Sequence, residues 1–165
     1  MGVWYSVFVR SFADSNQDGI GDLQGLISKL DYLQDLGISG IWLLPIHPAP
    51  SYHKYDVTDY LNIDPEYGSL KDFDALISAT HERGISVMMD MVFNHVSSEH
   101  PWFLEAQKGK ENPYRKWFVW ASPAQFTENE QYEWHLPETG PQDEYYYGLF
   151  WKGMPDLNFD HPPCS

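Results

Sequence analysis

Apolar residues alternate between strand-length runs and helical stripes through the first half of the chain. Val3 to Phe8 is an apolar run of strand length, followed by a polar loop of Asp, Asn and Gly. From Asp22 to Leu36, Leu23, Leu26, Ile27, Leu30 and Leu33 recur at helical spacing, and Gly37 supplies a stop. Ile38 to Leu44, closed by Pro45, reads as a second strand, and a Pro- and Tyr-rich loop then runs from His47 to about Gly68. Ser69-Leu70-Lys71-Asp72 has the form of a capping box with Asp in the usual Glu/Gln place. It opens a helix that carries Phe73, Leu76, Ile77 and Thr80 on one side and ends at Gly84. Ile85 to Met91 is apolar enough for a third, buried strand. Strands alternating with helices, with short joins before each strand and long loops after it, predict an α/β fold. Its parallel sheet would be built by right-handed crossovers.

The pattern changes after His95. From Val96 to Phe159 neither a period of two nor one of 3.6 is sustained, while Trp, Tyr, Phe, Pro and Gly accumulate. A structureless loop of that length is unusual inside a compact domain, so a small inserted lobe of short strands and turns is expected. The organisation is then residues 1–95 for the sheet region, 96–159 for the insertion and 160–165 for the start of a return to the sheet.

Composition narrows the partners. The 165 residues are 42% hydrophobic, with 7 Trp, 11 Tyr and 9 Phe, which is ample core material for a globular domain. A formal net charge of −14 argues against nucleic acid or an anionic lipid surface, because phosphates would be repelled. It suits cations and neutral ligands. The single cysteine, Cys164, cannot form an internal disulfide and leaves the redox compartment open. No run approaches the ~18 apolar residues of a membrane span. The N-terminus enters its first strand without a signal-peptide pattern, which leaves localisation undetermined and a secreted parent open.

Three clusters carry candidate chemistry. Asp90, Asn94 and His95 gather at the end of the third strand, and in α/β barrels the carboxyl ends of the strands are where chemistry collects. The plainer alternative is that Asp90 and Asn94 only turn the chain. Asp14, Asn16, Asp18 and Asp22 place side-chain oxygens at alternate positions of one loop, with the Ile20 carbonyl between the last two and Gly19 at the turn. That spacing can wrap a hard cation, and a flexible shell of five or more oxygens suits calcium better than magnesium. An EF-hand is excluded because Gly25 stands where its closing Glu would be. The alternative is a polar turn whose Asp22 caps the following helix. Thirdly, Tyr52, His53, Tyr55, Asp56 and Asp59 crowd the loop after the second strand. A Tyr face can stack on a sugar ring while His and Asp bond its hydroxyls, which suits a neutral, polyhydroxylated ligand.

Several motifs, in order, resemble the alpha-amylase family, glycoside hydrolase family 13. They are Trp4 to Phe12, the Asp14–Asp22 loop, Gly40-Ile41-Trp42-Leu43-Leu44-Pro45, Tyr52 to Tyr60, Asp90-Met91-Val92-Phe93-Asn94-His95 and Met154-Pro155-Asp156-Leu157-Asn158. The resemblance covers essentially the whole chain. It implies a (β/α)8 TIM barrel, of which this chain holds the first three strands and two helices, with a domain B inserted after the third strand. It also implies a retaining hydrolase of alpha-glucosidic bonds in starch or maltooligosaccharides. By resemblance, His95 binds glucose at the cleavage subsite, Asp90 supports its hydrogen bonds, Tyr55 is the stacking platform and His53 lies beside it. Asn94 becomes a candidate for a calcium shell shared with domain B, and Asp156 a structural or metal-linked carboxylate. Some oligo-1,6-glucosidase-like relatives carry an acidic residue three positions before the platform tyrosine. Tyr52 stands there in this chain, which favours an alpha-amylase over an oligo-1,6-glucosidase or alpha-glucosidase parent.

The departure from the family pattern is equally specific. Members carry the nucleophilic Asp on the fourth strand, the general-acid Glu on the fifth and a third Asp after the seventh, all beyond Ser165. Retention needs two carboxyl groups about 5–5.5 Å apart, and no substitute pair is evident. Asp56 and Asp90 match supporting positions, and Glu128 to Glu144 reads as solvated surface. The chain alone is therefore expected to be inactive, its missing partner being the remainder of the barrel. A non-catalytic glucan-binding or scaffold protein of the same family is the second expectation, and a calcium-dependent interaction module a third.

Overall fold

The computed structural model describes residues 2–126 and 131–161. Cys164, Glu128, Glu130 and the proposed return beyond His161 lie outside the described residues. Two compact units emerge. One runs to Lys54 and from Asp59 to Met91; the other takes Tyr55–Thr58 and the chain from Val92 onward.

The first unit is a three-stranded parallel sheet of order β1-β2-β3, built from β1 (Trp4–Val7), β2 (Gly40–Leu43) and β3 (Ser86–Met89). In register, Val7 faces Leu43 and Leu43 faces Met89. One sheet face is sealed: Val7, Ile41 and Leu43 are fully buried in one cluster with Leu23, Leu26, Leu30, Leu33 and Leu76. Ser6, Trp42 and Met88 form a row of the alternate set, and Trp42 and Met88 remain 40% and 46% exposed. Near-continuous apolar runs belong to parallel strands covered on both faces, so the sequence of β2 and β3 is written for a cover on this side too. Val87 and Met89 are half-buried, consistent with incomplete packing.

The stripe from Asp22 to Leu36 forms two helices instead of one, α1 (Leu23–Ser28) and α2 (Leu30–Asp35). The Ser28 hydroxyl donates to the Gly25 carbonyl at 2.6 Å, and the Lys29 amide turns to Leu26 at 3.0 Å. A serine competing for a backbone acceptor breaks the ladder there. The leucine stripe continues across the break, so the buried face survives it. Helix α3 (Leu70–Glu82) starts with the expected capping box, the Ser69 amide donating to Asp72 Oδ2 at 2.8 Å and the Asp72 amide to Ser69 Oγ at 3.4 Å. It buries Leu76 and Thr80 and is followed by Gly84, whose φ of +67° is a left-handed conformation that glycine adopts without steric cost.

The second unit holds short elements, as expected, and one helix that no periodicity announced. Helix α4 (Pro101–Ala106) is capped by the His100 ring, whose Nδ1 accepts from the Trp102 amide at 3.1 Å, with Pro101 in the first turn. Strands β4 (Trp120–Ala121), β5 (Trp134–His135) and β6 (Tyr145–Tyr147) pair antiparallel in the order β4-β6-β5. Phe103 is central to their core, its ring lying within 4.7–5.9 Å of the rings of Tyr146, Phe118 and Trp120. Arg115 is buried over the Trp120 ring at 3.3 Å and paired to Glu144 at 2.6 Å. Among the described residues no helix is long and apolar enough to cross a membrane.

The acidic stretch is only partly a solvated surface. Glu138 and Asp143 are exposed, but Glu133 accepts the Tyr147 hydroxyl at 2.6 Å and Glu144 neutralises Arg115. Both are half-buried because they satisfy donors at the sheet edge and in the core.

Candidate functional site

Each unit carries part of the polar inventory. In the sheet unit, the chain leaving β1 and the loop after β2 bring Phe8, Tyr52 and His53 together. Phe8 and Tyr52 meet edge to face at 6.5 Å, Tyr52 and His53 at 5.4 Å, and Ser51 Oγ lies 2.9 Å from His53 Nδ1. Asp90 follows β3 directly, its amide donating to the Leu43 carbonyl at 2.8 Å, so its half-buried carboxylate sits at the carboxyl end of the sheet. That is the end at which an α/β sheet presents its chemistry.

The second unit gathers Tyr55, Asn94, His95 and Asp156. A short antiparallel bridge joins His95 to Asp156, with the Leu157 amide donating to the Asn94 carbonyl at 2.9 Å. Asn94 Nδ2 donates to Asp156 Oδ2 at 3.0 Å, and the Leu149 amide to Asp156 Oδ1 at 3.3 Å. His95 is buried, with its Nε2 3.1 Å from the Tyr55 carbonyl and the Phe150 ring 5.2 Å away. Burial holds the His95 imidazole below its ordinary pKa of 6.5, against the Tyr55 carbonyl and the negative charge of Asp156 and Asp56. A neutral ring therefore donates from Nε2 and can accept at Nδ1. Burial also raises Asp156, a shift that the Asn94 and Leu149 hydrogen bonds and the nearby His95 oppose. Phe150 escaped the sequence reading; its only signal is an aromatic placed just before the Met154-Pro155-Asp156 motif.

The Asp14–Asp22 loop closes on itself. Asp14 accepts from the amides of Asn16, Gln17 and Gly19 at 2.7–3.0 Å, Asn16 Oδ1 from Asp18, and Asp18 from Ile20. The Gly19 amide, joined by those of Gln17, Asn16 and Asp18, holds the Asp14 carboxyl below its ordinary value despite an opposing desolvation. Asp22 caps α1 through the Gly25 amide at 2.6 Å and takes the Ser15 amide and hydroxyl, so the helix-cap reading of this residue is realised. Gly19 adopts the expected positive φ, at +88°. Among the described residues no three His, Cys, Asp or Glu groups are arranged to hold a metal ion. The donor set is nevertheless of calcium's kind: hard oxygens at alternate positions, with Asp14 biased toward its charged form.

The loop after β2 also buries a charge that hydrophobic patterning does not announce. Lys54 is buried with a φ of +63°, its ammonium 2.7 Å from Asp64 and 2.9 Å from Glu66. The available signal was a lysine preceding two acids, Asp64 and Glu66, in the same Pro-rich loop.

Comparison with known proteins gives one consistent result. A family model described as "Alpha amylase, catalytic domain" matches residues 6–165. Alpha-amylase 3 of Dictyoglomus thermophilum is 50% identical over 160 residues, which are 97% of this chain and 31% of that protein. Oligo-1,6-glucosidase of Parageobacillus thermoglucosidasius is 44% identical over 169 residues, 97% of this chain and 30% of that protein. Among solved structures, an alpha-amylase from H.orenii superposes with a TM-score of 0.89 at 51% identity, covering 98% of this chain and 35% of its own. An inactive MutB double mutant in complex with isomaltulose superposes at 0.90 with 40% identity, covering 98% and 30%. The chain thus spans about a third of the length of the relatives it matches.

Proposed function

The chain belongs to the alpha-amylase family, glycoside hydrolase family 13, with the fold of a partial TIM barrel, and from that premise we propose that it supplies substrate-binding groups of an alpha-amylase-type retaining hydrolase. The substrate would be an alpha-glucan or maltooligosaccharide. The observation that carries this reading is the aromatic and imidazole cluster of Phe8, Tyr52 and His53 at the carboxyl end of a parallel sheet that also presents Asp90. Rings there can stack on the apolar face of a pyranose, and the imidazole and carboxylate can bond its hydroxyls. In the second unit, Tyr55 would serve as the stacking platform. His95, kept neutral by burial, would present a fixed tautomer instead of a second charge. Tyr52 supports an alpha-amylase over an exo-acting oligo-1,6-glucosidase.

The bond-cleaving carboxylates would come from the remainder of the barrel, which would also cover Trp42 and Met88. A full barrel takes about 250 residues, and three strands cannot close one. Asp14, Asn16, Asp18, the Ile20 carbonyl and Asp22 would hold calcium in the first unit, and in the second unit Asn94 and Asp156 are candidate metal ligands. The contribution of the calcium would be charge neutralisation that fastens the first loop to α1.

Calorimetric titration of the 165-residue chain with maltotetraose tests the reading. Binding that Tyr55→Ala abolishes, with no reducing sugar released from starch above a buffer blank, is the expected outcome. Absence of binding would sink the glucan reading, and sugar release would sink the proposed inactivity of the chain alone.

A further inference from the structure

Lys54 occupies a backbone conformation that its side chain does not favour. Its φ of +63° lies in the left-handed region, where Cβ crowds the following carbonyl, and lysine has no short polar group to compensate locally. Such a conformation persists only where the surroundings impose it. Here the surroundings are electrostatic. The Lys54 side chain is 4% exposed, and its ammonium meets Asp64 Oδ2 at 2.7 Å, Glu66 Oε2 at 2.9 Å and the Ala49 carbonyl at 3.4 Å, with the Tyr67 ring 5.6 Å away. Asp64 is itself fixed, accepting the Glu66 amide at 2.9 Å and the Ala49 amide at 3.4 Å, while its own amide donates to Ile46. Arg10 closes the cluster by sharing Glu66 Oε2 at 2.9 Å. If the ammonium left this cluster, Asp64 would stay buried and short of its counter-charge, a costlier state than the strained turn.

The strain falls at a telling place. The Lys54 amide donates to the Ser51 carbonyl at 3.3 Å, closing a turn from Ser51 to Lys54, and within that turn Ser51 Oγ contacts His53 Nδ1. Rotation about φ of Lys54 would swing the backbone of that turn and move His53 with it. We infer that Lys54 is a positioning residue, whose buried ammonium, held by buried Asp64 and by exposed Glu66, clamps the left-handed turn that presents His53 to the sugar. This rests on the glucan reading above, and it names the group that sets the geometry of the binding loop.

Two variants and two measurements test it. Lys54→Met keeps length and Cβ but removes the charge; Lys54→Met combined with Asp64→Asn also removes the buried uncompensated acid. In both, backbone amide shifts from Ser51 to Tyr55 should change, and maltotetraose affinity should fall about tenfold or more, as expected when binding groups are displaced by an ångström. The double variant should regain most of the thermal stability that the single variant loses, without regaining affinity. A role confined to stability would restore both together and overturn the inference. So would unchanged amide shifts from Ser51 to Tyr55 in Lys54→Met. Should the unmodified chain bind no maltotetraose, the glucan reading fails, while the amide shifts still decide whether Lys54 clamps the turn.

Discussion

The two units bury their interiors by different means. In the sheet unit the core is aliphatic: Leu23, Leu26, Leu30, Leu33, Ile41, Leu43 and Leu76 are fully buried beneath strands that alternate one side in and one side out. In the second unit the strands are only two or three residues long, and the core is a set of rings around Phe103 with Arg115 stacked on Trp120. Long regular elements supply area by repetition, so no single side chain is indispensable to the pattern. Short elements cannot, and large rigid rings replace repetition with a few contacts of large area. The second unit therefore concentrates its stability in fewer residues.

Truncation of its central ring should have the largest effect. Phe103→Ala is expected to cost about 3–5 kcal/mol. The loss should appear as reduced hydrogen-exchange protection of the β4, β5 and β6 amides. Leu26→Ala, from the middle of the leucine stripe, is expected to cost about 2–5 kcal/mol, toward the lower part of that range if neighbouring leucines close the void. Its reduced protection should fall on α1 and β2. Identical protection losses in both variants would erase the contrast between the two cores.

The smallest expected effect is on pH dependence and concerns the polar part of the second unit. Because the folded His95 pKa lies below 6.5, the unfolded chain takes up the proton first on acidification. Stability should therefore be full above about pH 6.5 and decline as pH falls toward the folded value. His95→Asn, which does not titrate, should flatten that decline in chemical-denaturation series at successive pH values. A slope unchanged by the substitution would assign the acid sensitivity to other groups. Asp156 acts in the opposite sense: its raised pKa means the folded chain binds the proton first, so its ionisation costs stability as pH rises above 3.8.

Much of the first unit was legible in the sequence because its determinants are local or periodic. Three apolar runs, a Ser69/Asp72 capping box and Gly84 each state their structure within a few residues: the runs form strands, the box caps α3 and the glycine follows its end, although β3 is only half-buried. The broken helix at Lys29 was not legible, since a Ser28 hydroxyl competing for the Gly25 carbonyl leaves hydrophobic spacing untouched. Helix α4 was missed for a related reason: its cap is a histidine ring, and six residues are too few to show a period. The motifs that identify the family were equally local, and they named Asn94, His95 and Asp156 as polar positions without saying how they meet.

Their meeting is a product of the tertiary structure. Asn94 and Asp156 are far apart in the chain, yet their side chains share a 3.0 Å hydrogen bond. His95 becomes a buried neutral ring only when Tyr55 and Phe150 close around it. The sharpest case is Lys54, an ordinary charged loop residue in sequence. Folding buries it and forces its φ positive, because its charge has no solvent and must be matched by Asp64 and Glu66. Sequence alone determined the three parallel strands, helix α3, the family and the residue types at the strand ends. Which charges are buried, and against which partners, was decided by the fold, because desolvation and pairing depend on distances that exist only once the chain has closed.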